Sequence, residues 1–130
     1  MAGTAALISV VAISPTPAQA VTTWTLSNTP ADVTGAWVHG TWWWGASGRL
    51  YVEVNVKDTV ANSKNASVSL AAGYSDGGVR REDFFNNDGA NTTVTMTYSF
   101  APNVSFINAR ECVDNASGLA TCGNTVRIFG

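Results

Sequence analysis

The run Trp37-Val38-His39-Gly40-Thr41-Trp42-Trp43-Trp44 carries four of the five tryptophans of this 130-residue chain. In a strand, successive side chains point to opposite faces. Trp37, His39, Thr41 and Trp43 then share one face, and Val38, Gly40, Trp42 and Trp44 the other. Whichever face enters a core, the other keeps large aromatic surface that needs a cover, either from this chain or from something else.

The segment after it makes the strand reading firm. Gly45-Ala46-Ser47-Gly48 is a tight connection. Beyond it Leu50, Val52, Val54 and Val56 alternate with Tyr51, Glu53, Asn55 and Lys57. Strict alternation predicts one buried and one wet face, and two such runs around a glycine-bounded loop predict a hairpin. The pattern returns in Ala66, Val68, Leu70, Ala72 and Tyr74, and in a shorter, more charged run over 79–85. In the next run Val94, Met96, Tyr98 and Phe100 read as inward, against Thr93, Thr95, Thr97 and Ser99. Further strands are expected over 104–113 and 125–129. Asn62-Ser63-Lys64, Asp76-Gly77-Gly78, Asn86-Asn87-Asp88-Gly89, Pro102-Asn103 and Asn115-Ala116-Ser117-Gly118 are the turn signals between them. No window has a helical period. The expected fold is all-β: a single antiparallel β-sandwich, immunoglobulin-like or a related Greek key, of six to seven strands with one disulfide.

The N-terminus divides differently. Residues 5–13 are an apolar run of signal-peptide length, broken by Pro15 and Pro17 and followed by Ala18-Gln19-Ala20, an A-x-A cleavage pattern. The run is too short to span a bilayer. No Lys or Arg precedes Arg49, so a charged n-region is lacking. The expected division is a signal peptide over 1–20, an N-terminal arm and linker over 21–34, and the sandwich over 35–130. The arm carries Trp24, and Ser27-Asn28-Thr29-Pro30-Ala31-Asp32 sets it apart as a detachable segment. The implied localisation is secreted and extracellular.

Cys112 and Cys122 are the only cysteines. In an exported chain such a pair reads as a disulfide, and their spacing does not fit a CxxC redox or metal motif. A catalytic reading finds little to stand on. His39 is the sole histidine, and neither G-x-S-x-G nor HExxH occurs. Arg80, Arg81, Glu82 and Asp83 read as a solvated charge cluster. The Asp83–Gly89 stretch lacks the EF-hand pattern, so no metal and no cofactor are expected. With 7 basic and 9 acidic residues and no basic block, nucleic acid is excluded as the expected partner, and no membrane partner is expected either. Four N-x-[ST] triplets, at Asn65, Asn91, Asn103 and Asn115, are glycan acceptors only in a eukaryotic secretory context.

The tryptophan-rich strand, the alternating run from Leu50 to Thr59, and Cys112-Val113-Asp114 with Thr121-Cys122-Gly123 are together similar to the small secreted β-sandwich proteins of Streptomyces and related actinobacteria, over about residues 35–130. More narrowly, the chain resembles adaptor subunits of secreted antibacterial particles, the umbrella toxins, in which a small β protein joins a lectin-like subunit to a stalk. The resemblance implies no catalytic residues. The expected function is non-catalytic binding of another secreted protein, with Trp24, Trp42, Trp43 and Trp44 as contacts, because tryptophan is enriched at binding hot spots. The alternatives are a carbohydrate-binding module using exposed tryptophans, an enzyme inhibitor presenting the Asp76–Val79 loop, and last a small hydrolase. A flat row of aromatics along one face would favour sugar.

Overall fold

The computed structural model describes residues 20–115 and 119–130. The expected signal segment up to Gln19 and the Ala116-Ser117-Gly118 part of the last loop lie outside the described residues. Among the described residues there are nine strands: β1 (Thr22–Thr25), β2 (Ala36–Trp44), β3 (Leu50–Asp58), β4 (Asn65–Tyr74), β5 (Val79–Asn86), β6 (Thr93–Phe100), β7 (Val104–Asp114), β8 (Ala120–Cys122) and β9 (Val126–Phe129). They form two antiparallel sheets, β1-β2-β3-β6 and β5-β4-β7-β8, with β9 also paired to β7. After the β2–β3 hairpin the chain crosses to the other sheet for β4 and β5. It returns to lay β6 beside β3, then crosses again to lay β7 beside β4. These interlocked pairings are the Greek-key arrangement of immunoglobulin-type sandwiches.

The core fills the space between the sheets. Val38, Leu50, Val52, Val54 and Val56 from one sheet meet Ala66, Val68, Leu70, Ala72, Ile107 and Ala109 from the other, all of them buried. The alternation read in the first hairpin holds along its whole length, with Trp43 opposite Tyr51 and Val38 opposite Val56. Two expectations change. Strand β8 falls where only a loop was expected. It is three residues long, too short for a period to register, and the disulfide places Cys122 directly opposite Cys112. Met96, expected inward, is 40% exposed. Its strand β6 is a sheet edge, and Met96 lies where that edge is not covered by the opposite sheet.

The expected detachable arm is also corrected. Strand β1 pairs with β2 along its length, Trp24 opposite Gly40, and Trp24 and Leu26 are core residues. A side chain at Gly40 would run into the Glu53 carbonyl and the Trp24 ring, so the glycine makes room for the indole. The linker is clamped as well. Asn124 donates its backbone N–H to the Pro30 carbonyl (2.8 Å), and Gly123 packs so closely on the Ala31 backbone that no side chain would fit there.

Two buried polar side chains tie the sheets together. Glu111 of β7, wholly buried, reaches across the sandwich and accepts the backbone N–H of Val33 (3.0 Å) and of Val38 (2.8 Å). Burial pushes its carboxyl up to about 7, against the pull of those two N–H groups, and the neighbouring Asp32 raises it further. Asn86, expected in a polar turn, is fully buried at the end of β5. It donates to the carbonyls of Val56 (3.0 Å) and Thr92 (2.8 Å) and accepts from Asp88 N–H (2.9 Å) and the Thr92 hydroxyl (3.2 Å).

Candidate functional site

The outer face of the four-stranded sheet is built by register. Four cross-strand rows lie along β2: Trp37, Lys57 and Thr93; Thr25, His39, Asn55 and Thr95; Thr23, Thr41, Glu53 and Thr97; and Trp43, Tyr51 and Ser99. Aromatic residues occupy the two ends and polar residues the middle. Trp37 and Trp43 are six residues apart on one strand, roughly 20 Å.

Each end is ordered. The Trp37 ring stacks on His39, centroids 3.9 Å apart, and its Nε1 donates to the Thr25 hydroxyl (3.2 Å). Burial under that ring holds the His39 imidazole below its ordinary value; Glu53 opposes the shift and Lys57 adds to it. Trp43 lies parallel to Tyr51 at 5.8 Å. In the middle the Thr95 hydroxyl donates to Asn55 Oδ1 (2.6 Å), and Asn55 Nδ2 donates to the His39 carbonyl (3.3 Å) and Glu53 Oε1 (3.4 Å). The polar rows are therefore pre-set, with Thr41 and Glu53 at their centre.

The four tryptophans singled out from the sequence go to three different places. Trp24 is inside, and its Nε1 finds no partner among the described residues. Trp42 points inward at the end of the sandwich, donates Nε1 to the Ile128 carbonyl (3.1 Å) and meets Phe129 edge to face. Trp44 shares Phe129 but stays 41% exposed. Only Trp43 stands on the outer face. Its companion there is Trp37, 38% exposed, which was not among the expected contacts although the alternation places it beside Trp43.

The remaining motifs resolve as structure. Arg80 and Glu82 are not simply solvated. They form an ion pair (3.0 Å), and Arg80 donates to the Ser99 carbonyl (2.7 Å) while lying over the Phe100 ring. The Asp76–Val79 loop is a closed turn: Gly77 takes φ +88°, and Tyr74 N–H bonds the Gly78 carbonyl. Among the described residues no three His, Cys, Asp or Glu side chains cluster in a metal-binding arrangement, and no helix is long and apolar enough to cross a membrane.

No family model matches the chain, and no curated protein matches it. Among solved structures, an X-ray structure of a Northeast Structural Genomics Consortium target is similar over 87% of this chain and 86% of that one, at 9% identity and a TM-score of 0.38.

Proposed function

We propose that this is a secreted, non-catalytic binding domain that docks another extracellular protein through the outer face of its four-stranded sheet. The observation that carries the reading is the placement of Trp37, Trp43 and Tyr51 on a solvent-facing surface. The inward rows already fill the core without them, so the fold does not require aromatic residues there. Tyrosine and tryptophan are typical anchors of interfaces, and a polar surround is the usual rim. In the finer form drawn from the resemblance, the partner is a subunit of a secreted antibacterial particle and the domain is its adaptor.

The test is to identify the protein that co-purifies with the secreted domain, then to measure its affinity for Trp43→Ala and Trp37→Ala. Each anchor's loss is expected to cost about 2 kcal/mol, close to thirtyfold in Kd. Unchanged affinity in both variants refutes the assignment of this face.

A second reading is favoured by one feature. The two aromatic pairs do not form a continuous apolar patch. Preset polar rows separate them, an arrangement that also suits a glycan chain laid along β2. Glycan-array binding lost in Trp43→Ala would establish it in place of the protein partner.

A further inference from the structure

The two sheets have four edges, and three are guarded. Strands β1, β8 and β9 have three or four residues each, and β5 carries Arg80, Arg81, Glu82 and Asp83. Short strands and charged side chains are the usual protection of a sheet edge. Strand β6 is the remaining edge. It is eight residues long and reads Thr-Val-Thr-Met-Thr-Tyr-Ser-Phe, with no charge, no proline and no shift of register against β3.

The ladder shows where its backbone groups point. Asp58 donates its N–H to the Thr92 carbonyl, so Thr92 and, by alternation, Val94, Met96, Tyr98 and Phe100 turn their N–H and C=O towards β3. Thr93, Thr95, Thr97 and Ser99 turn theirs outward. The Ser99 carbonyl accepts from Arg80 (2.7 Å) and Arg49 (3.1 Å). The outward N–H and C=O of Thr93, Thr95 and Thr97 have no partner among the described residues, and Met96 beside them is 40% exposed.

We propose that β6 is a homodimerisation edge: two copies pair their β6 strands antiparallel about a two-fold axis at Thr95, joining their four-stranded sheets into one continuous sheet. A two-fold contact must be self-complementary, and this strand is. Thr95 lies opposite Thr95 of the second copy, and Thr93 opposite Thr97, so each of these pairs exchanges both of its N–H···O bonds. On the outer face threonine meets threonine, a favourable cross-strand pair. On the inner face Val94 meets Met96 and covers it. The charges agree as well. Thr93 continues the row of Lys57, and Thr97 that of Glu53. The axis therefore places Lys57 of each copy in one row with Glu53 of the other, three strand spacings or roughly 14 Å apart. The Arg80–Glu82 ion pair (3.0 Å) closes the Ser99 end without net charge. Trp37 and Trp43 stay uncovered, so this inference does not rest on the reading of their face.

The test is sedimentation equilibrium of the purified, disulfide-intact protein. The contact is narrow and belongs with the weak interfaces, so the series runs from roughly 10 μM to 1 mM. A monomer–dimer equilibrium is expected within that range. Thr95→Lys and Thr95→Glu each set like charges against one another on the axis and are expected to weaken the dimer at least about tenfold. Circular dichroism should match the wild type, because Thr95 is exposed. Mixing the two variants is expected to restore association as a heterodimer, a rescue that general instability of either variant cannot imitate. Thr41→Lys, on the same face but two strands away from β6, is expected to leave association unchanged. Four outcomes overturn the proposal: a monomer at every concentration, a dimer that persists in both Thr95 variants, no recovery on mixing, or an equal loss in Thr41→Lys. None of them bears on partner binding by Trp37 and Trp43, and failure of that assignment would leave these expectations standing.

Discussion

The β2–β3 hairpin and the segment from Val21 to Gly35 lie side by side, and each brings tryptophan into the sandwich, but they are held in opposite ways. The hairpin is held by its own neighbours, nine cross-strand pairs joined by a short turn. The N-terminal segment has one short strand of four residues. Further anchoring comes from far along the chain: Glu111 binds Val33 across 78 positions, and Asn124 binds Pro30. Local alternation makes a hairpin visible in sequence. A segment closed by distant partners looks like a free arm until those partners are seen.

The strongest way to break the comparison is Val54→Asp in the hairpin, where the side chain is wholly buried. An unpaired carboxylate in the core costs several kcal/mol, so the domain is expected to be unfolded by circular dichroism, while Asn55→Asp on the outer face stays folded. Next is Trp24→Ala. It empties the core beneath β1 and is expected to cost about 3–5 kcal/mol in urea unfolding. Deleting residues 21–26 removes Leu26 as well and is expected to unfold the domain. A deletion variant that keeps full stability would restore the free-arm reading.

The pH dependence sharpens the same contrast. Glu111 titrates at about 7 in the folded domain and near 4.3 when unfolded. Between those values the folded state holds a proton that the unfolded state has released, so its contribution to stability is full below about 4.3. It is lost as pH rises to 7, in all roughly 4 kcal/mol. Denaturant midpoints should fall from pH 4.5 to 7.5 in the wild type and stay flatter in Glu111→Gln. A smaller effect belongs to the disulfide. Closing a ten-residue separation is worth roughly 3 kcal/mol in the chain-entropy model. Since it spans one hairpin, Cys112→Ala with Cys122→Ala is expected to lower Tm without loosening β1. The smallest effect is Trp37→Ala, which loses the His39 stack and the Thr25 hydrogen bond on a half-exposed surface and is expected to cost about 1–2 kcal/mol of stability while it weakens partner binding.

The sandwich, the first hairpin and the cysteine pair were legible because each follows from a period or a short spacing. Trp24 was misplaced because the turn residues after it, Ser27 to Asp32, look the same in a free linker and in one clamped by Gly123 and Asn124. Glu111 and Asn86 were passed over because a polar residue carries no sign of burial in its own neighbourhood, and their partners are backbone groups on other strands. Trp37 was readable. The alternation that puts Trp43 on the outer face puts Trp37 there too.

The Glu111 clasp also sets a timetable. Synthesis runs from the N-terminus at about 5–20 residues per second, so the 73 positions between Val38 and Glu111 amount to roughly 4–15 s. A hairpin such as β2–β3 forms in about 1–10 μs once its residues are free. For the intervening seconds Trp24 and Leu26 have no core to enter, and the first stretch of the domain to be made is the last to be sealed.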